Sequence, residues 1–379
     1  MPATAAPPTI TATLLLPQDR IARAPLGAWA GRLHSHLVRC RTALRRSRDL
    51  AGEIAGIANN AALIAAHAGD WARAWALCEG QIHWQLRLSR RSRDVAIAAH
   101  ALQPWVNLGR LQAVEGDWQS ALARFAQLEE YRLDRGIALD CARIAPSGWR
   151  VISSSPERFE NLLRNIQVTD SLKALLLNGE WGQVPVFASR MAMACTPGRA
   201  RYIAEASIVA ASRRGEHQLA RDTAVTAVSM GRGWHRLVFR LRLAEVAACS
   251  SERTDAVDVL RFLAGLILKL SPEAKQLLQN LYVILRNATA CREVGLQDEA
   301  VLLAREVHAG GRAVGDEVFE LEALHILAEA APAPERENWR RELARLEETT
   351  SYSRYRRGGG PPDPAVIMLA EELVEFFSQ

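Results

Sequence analysis

Six cysteines, nine histidines and a run of three glycines are the residues of this 379-residue chain whose chemistry could define a reaction centre. A zinc knuckle or a redox pair needs cysteines a few residues apart, so that one short loop can bring both sulfurs together. Cys40, Cys78, Cys141, Cys195, Cys249 and Cys291 are scattered instead, and read as small core residues of a reducing compartment. His34 and His36 are two residues apart, which on a helix turns their side chains roughly 200° from each other. No other histidine pair has ligand spacing, so no metal is expected. Gly358 to Gly360 lead into Pro361 and Pro362, not into a lysine and a helix start, so a phosphate-cradling loop is not expected either. No serine sits in a glycine-flanked elbow and no cysteine has a recognisable catalytic histidine context. No cofactor is expected, and an enzyme would have to assemble its groups from distant positions.

Helices must position whatever site exists, and one spacing recurs among them. A glycine is followed five residues later by a small apolar residue at Gly69 and Ala74, Gly116 and Ala121, Gly179 and Val184, Gly215 and Ala220, and Gly295 and Ala300. Glycine accepts the left-handed cap that ends a helix, and a small residue opening the next helix permits a close antiparallel crossing. The glycines are 47, 63, 36 and 80 residues apart, and Ser251 with Ala256 divides the last interval into 36 and 44. These intervals lie in or near the range of helix-pair repeats. The 63-residue interval must contain an insertion, which Pro146, Gly148, Ser153 to Ser155 and Pro156 place near 144–156.

The second turn carries more than a glycine. Trp105, Leu108, Gly109, Gly116, Ala121 and Phe125 give an aromatic and a Leu-Gly pair on one helix, the turn, then a small residue and an aromatic on the next. This pattern resembles the tetratricopeptide repeat family, in which small residues let paired helices cross closely while aromatics fill the space between repeats. Elsewhere the repeats are degenerate. Before and after Gly69, Ala61 and Ala62 replace the Leu-Gly pair and Cys78 replaces the second aromatic, and in the second repeat itself Leu133 stands where the family has a later proline. The pattern covers residues 50 to 310 and is similar to the degenerate repeats of bacterial regulatory and sensor proteins. The resemblance implies an all-α, right-handed α-solenoid of stacked antiparallel helix pairs.

The resemblance also implies a concave groove lined by the first helix of each pair, with ligand contacts six and ten residues before the turn glycine and others two and three before it. Those places hold Asn59, then Arg110, then Thr169 and Lys173, then Glu205 and Arg213, then Leu241 and Glu245, then Leu285 and Arg292. Tyr202 and Tyr282 lie one helical turn earlier. The row is mildly positive, which suits an acidic or carboxylate-bearing peptide held by guanidinium forks. Trp71, Trp118 and Trp181, two residues after turn glycines, are expected to plug the space between helices, whereas Trp149 and Trp234 fall outside that register and suit a contact surface.

Composition agrees with a helical, soluble protein: 49% of residues are hydrophobic but only 6% aromatic. Lys173, Lys269 and Lys275 are the only lysines among 47 basic residues, an arginine bias that reflects genome composition and weakens basicity as a functional signal. The organisation expected is an extended N-terminal arm at 1–25, repeats over 26–350, a linker at 351–364 and a C-terminal amphipathic helix at 365–379. Thr9 to Leu16 alone reads as extended. No stretch is apolar enough to span a membrane, and a cytoplasmic location follows. The function expected is a non-catalytic adaptor, sensor or regulator binding a protein or peptide in its groove. The alternatives are a helical enzyme or accessory protein acting on a peptide or carrier-bound substrate, and a nucleic-acid-binding regulator using the basic clusters at Arg87 to Arg93 and Arg354 to Arg357.

Overall fold

Amphipathic periodicity and glycine punctuation produce an almost wholly helical chain. The computed structural model describes residues 22–43, 50–132, 137–139, 142–144, 156–192, 197–250, 253–355 and 362–378. The helices are α1 (Leu26–Ala43), α2 (Leu50–His67), α3 (Trp71–Ser92), α4 (Val95–Ala99), α5 (Leu102–Glu115), α6 (Trp118–Arg132), α7 (Pro156–Leu177), α8 (Gln183–Ala192) and α9 (Pro197–Arg213). They continue with α10 (His217–Met230), α11 (Gly233–Cys249), α12 (Arg253–Leu268), α13 (Pro272–Lys275), α14 (Leu278–Val294), α15 (Gln297–Val314), α16 (Glu317–Ala330), α17 (Ala333–Thr349) and α18 (Pro364–Ser378). Contacts group the described residues into two compact units where the sequence suggests one continuous series. One unit holds residues 22–24 and 175–349, the other residues 25–174 and 362–378 together with 350–355.

All five turn glycines are left-handed, with φ of 81° at Gly69, 95° at Gly116, 73° at Gly179, 79° at Gly215 and 91° at Gly295. Four show the paired closing hydrogen bonds of a Schellman cap. At the first, Gly69 N–H donates to Ala66 and Asp70 N–H donates to Ala65, at 3.0 and 2.9 Å. The same pairs recur at Gly179, Gly215 and Gly295. The small residue five positions on has no exposed surface at Ala74, Ala121, Val184, Ala220, Ala256 or Ala300. Ser251, the stand-in for a sixth turn, lies outside the described residues. The residue before it, Ser250, closes α11 in an extended conformation.

The repeat that most resembles the tetratricopeptide pattern shows why its glycine pair matters. Trp105, Leu108, Ala121 and Phe125 are all buried. A Cβ at Gly109 would lie 2.7 Å from Phe125 Cε1, so the aromatic of α6 packs directly on the backbone of α5. In the unit of residues 175–349 consecutive helices pack on each other except that α12 packs past the four-residue α13 onto α14, and the first helices of successive pairs also pack on each other, α9 on α11, α11 on α14 and α14 on α16. That arrangement fits a helical repeat.

Several local expectations change. Apolar periodicity over 95–115 predicts one helix, but the structure has two, α4 and α5, because Pro104 would clash with the carbonyl of residue 100 in a continuous helix. The sequence over 273–294 predicts one helix, but it breaks after Lys275, where Leu277 is extended and Asn280 Nδ2 donates to the Ala274 carbonyl at 2.6 Å. Helix α15 runs through Gly310 and Gly311 to a left-handed Gly315, with Gly310 giving room to Leu281. A short antiparallel hairpin, β1 (Ile137–Leu139) with β2 (Ala142–Ile144), pairs Ile137 with Ile144 and precedes the expected insertion. Its two short apolar runs flank Asp140 and Cys141, which form no standard hairpin turn signal. The extended stretch at Thr9 to Leu16, and most of the insertion, lie outside the described residues.

The segment expected as a linker is packed where it is described. Tyr352 is buried against His67, with ring centroids 5.5 Å apart, and Ser353 N–H donates to the His67 carbonyl at 3.1 Å. Helix α18 then packs on α1, α2 and α3. Phe377 lies against Gly80 and Trp84, and Glu371 and Glu372 meet Arg73 and Arg41 at 3.1 and 2.6 Å. Among the described residues no helix is long and apolar enough to cross a membrane.

Gly116→Val should lower stability by about 1–2 kcal/mol, since a β-branched residue is disfavoured in the left-handed region. For a unit of this size that is a fall of roughly 2–8 °C in melting temperature. Gly182→Ala, where an added Cβ meets nothing within 4 Å, serves as the control and should melt like the wild type.

Candidate partner-binding surface

The expected groove residues divide into two polar ladders with opposite character. In the unit of residues 25–174, the first helices α2, α5 and α7 present a connected strip. Asn107 Nδ2 on α5 donates to Asn59 Oδ1 on α2. Arg110 Nη1 donates to Asn107 Oδ1 at 3.0 Å, while its Nε and Nη2 donate to Asp170 Oδ2 on α7 at 3.0 and 2.8 Å. Lys173 Nζ reaches the other oxygen of Asp170 at 3.5 Å. Asp170 is buried at 4% exposure, whereas the side chains of Arg110 and Lys173 are 45% and 49% exposed. Two exposed cations therefore meet at one buried carboxylate. Asn59, Arg110 and Lys173 are brought together here.

In the unit of residues 175–349, Glu205 on α9 and Glu245 on α11 belong instead to a buried ion network. Arg242, with no exposed surface, donates from Nε and Nη2 to Glu205 Oε1 at 3.1 and 2.7 Å and from Nη1 to Glu245 Oε2 at 2.8 Å. Arg286 on α14 donates to Glu245 Oε1 and meets Glu293 at 3.5 Å. Glu205 and Glu245 are 0% and 3% exposed, which corrects their expected place on an open face. Burial raises the Glu245 pKa, but Arg286 and Arg242 outweigh it and hold the carboxyl below its ordinary 4.5. An isolated ion would not survive this depth, so the opposite charges are obligatory partners.

The remaining expected contacts are engaged within the chain. Arg213 lies over the Trp181 ring, 5.5 Å from its centroid. Arg292 pairs with Glu329 on α16 at 2.7 Å. Tyr282 packs edge-on against Phe319, and Arg23 of the N-terminal arm covers both rings while its Nε donates to Asp316 at 3.2 Å. Tyr202 is half-buried on α9. Of the tryptophans expected as plugs, Trp118 and Trp181 are half-buried but Trp71 is 37% exposed. Trp234 is half-buried, and Trp149 lies outside the described residues.

Asn107, Asp170, Arg242 and Arg286 escaped the sequence reading, yet share one signal. Each is a polar residue nine positions before a turn glycine or, for Arg242, before Ser251. Position nine before the turn and position six lie one helical turn apart, so Asn107 with Arg110, Asp170 with Lys173, and Arg242 with Glu245 face the neighbouring first helix together.

Of the described cysteines, Cys40, Cys78 and Cys291 are buried as core residues and Cys249 is half-exposed. Cys78 and Cys291 are buried, and burial pushes both thiols up to about 12, far from reactive thiolate chemistry. The chain matches no protein-family model and no curated protein sequence.

Removing one member of the buried network should be costly. Arg242→Met should destabilise by roughly 3–5 kcal/mol, because it takes a buried counter-charge from both Glu205 and Glu245. Since the Glu245 pKa is depressed in the folded state, its contribution is present above 4.5 and lost as pH falls through the folded value. Urea unfolding of Glu245→Gln should show lower stability at neutral pH and a shallower decline on acidification than the wild type.

Proposed function

We propose that the protein is a non-catalytic adaptor, sensor or regulator that binds an acidic protein or peptide segment along the strip formed by Asn59, Asn107, Arg110 and Lys173. One observation carries this reading: Arg110 and Lys173 stand exposed around the buried carboxylate of Asp170. Asp170 fixes the guanidinium by two donors and Asn107 holds a third, so Arg110 is oriented before any ligand arrives. A guanidinium has five N–H donors, which leaves capacity for a ligand carboxylate. Preorganisation of this kind reduces the ordering cost of binding. The asparagines at the other end of the strip can pair with peptide backbone amides, which suits an extended segment. The neutral, buried network of Glu205, Arg242, Glu245 and Arg286 supports the same assignment by contrast, since its charges are spent on holding helices together.

The test is affinity capture of peptides from the native host, read by mass spectrometry, followed by measurement of the captured peptide's dissociation constant. Charge reversal of Arg110 and Lys173 to glutamate should weaken binding by roughly tenfold to a hundredfold, as expected for losing charge-assisted hydrogen bonds of about 1.5–3 kcal/mol. Helicity should be retained, but the melting temperature should fall because buried Asp170 loses both cations, so binding is measured well below the thermal transition. Arg213→Glu, which lies over the Trp181 ring in the other unit, is the control. Undiminished binding in the double variant would reject the strip. Capture of nucleic acid, lost on reversal of Arg354, would replace this reading with the nucleic-acid one.

A further inference from the structure

We propose that His36, Cys40 and Glu53 form a site for a borderline-soft divalent cation, Zn2+ by its ligand chemistry, that ties α1 to α2. His36 and Cys40 are four residues apart on α1, which places them on one face of that helix. Glu53, in the first turn of α2, reaches across to both. His36 Nε2 lies 3.1 Å and Cys40 Sγ 3.3 Å from the same atom, Glu53 Oε2. All three donor atoms lie within 4.8 Å of one another. Zinc bonds of about 2.0–2.3 Å in tetrahedral geometry separate adjacent donors by roughly 3.3–3.7 Å. The observed spacing therefore requires at most about 1 Å of closure, which rotation of the two outer side chains supplies.

The burial pattern fits an ion-binding pocket better than a surface ion pair. Cys40 is 2% exposed, while the side chains of His36 and Glu53 are 42% and 51% exposed. A soft sulfur thus forms the floor, and a nitrogen and an oxygen form an accessible rim. An exposed His–Glu pair alone would contribute little, and would not account for a buried thiol directed at the same carboxylate oxygen. On coordination the Cys40 S–H proton leaves to solvent, and the thiolate, the neutral imidazole Nε2 and the ionised carboxylate each donate an electron pair. A dication with one thiolate and one carboxylate is formally neutral, as a half-buried position requires. Three protein ligands leave a fourth position for water or for a donor brought by another molecule. His34, the other histidine of this helix, turns away to Glu372 at 2.7 Å and takes no part. The sequence signal was a His-Cys spacing of four, which a search for histidine pairs and cysteine pairs passes over.

The experiment is titration of the purified full-length chain with Co2+, followed by displacement with Zn2+. A thiolate-to-cobalt charge-transfer band should appear, saturate near one equivalent and vanish on adding Zn2+. The band should be absent in Cys40→Ser and retained in Cys249→Ser, which removes a half-exposed cysteine outside the site. His36→Ala, at an exposed position where folding is not at stake, should weaken Co2+ binding at least tenfold with an unchanged metal-free melting temperature. A band that survives His36→Ala at full affinity, a band lost in Cys249→Ser, or no band with Co2+ in large excess would each overturn the assignment.

Discussion

Antiparallel helices can cross closely only where the turn between them needs no side chain and the first buried residue beyond it is small. That constraint sets the geometry on which everything else in this protein rests. The left-handed glycines at 69, 116, 179, 215 and 295 satisfy the orphan carbonyls of one helix, and the fully buried Ala74, Ala121, Val184, Ala220 and Ala300 let the next helix return along it. Gly109 extends the same principle into a helix interior, where the Phe125 ring replaces the missing side chain. With crossings this tight, helix faces come close enough for polar side chains to bridge them.

Those bridges serve two ends. Between α9, α11 and α14 they are buried, balanced in charge and short, so they specify which helix packs where without contributing a surface to other molecules. Replacing such networks by apolar side chains is often neutral for stability, so specificity of pairing is the physically reasonable role here. Between α2, α5 and α7 the bridge is open to solvent, with the side chains of Arg110 and Lys173 exposed over the buried Asp170. A single burial difference separates a scaffold from a candidate binding strip built at the same helical positions.

Helix α18 completes the unit of residues 25–174 by a different logic. Its apolar face, with Val366, Leu369, Leu373 and Phe377 buried, covers α1, α2 and α3, and its acidic residues meet arginines at the rim. The buried Tyr352 anchors the chain on the turn after α2 before it reaches this helix. A segment whose glycines, prolines and arginines read as a linker is thus partly fixed by one aromatic residue.

The sequence by itself determined the helices, their turns and the close crossing of Trp105, Gly109 and Phe125, because capping, helical periodicity and side-chain size act over a few residues. Pro104 and Leu277 show how far such local rules reach: one proline splits an expected helix on grounds visible in the sequence, while the break before Leu278 depends on a side chain capping a carbonyl six residues away. Only the tertiary structure decided which charges are buried. Arg110 meets Asp170 across 60 residues, Arg242 meets Glu205 across 37 and Arg286 meets Glu245 across 41. Glu205 and Lys173 look alike in the sequence as polar residues on first helices, and nothing local distinguishes them. Their fates diverge because burial depends on which helix packs opposite, and a charge that loses water must find its counter-charge at that distance in the chain.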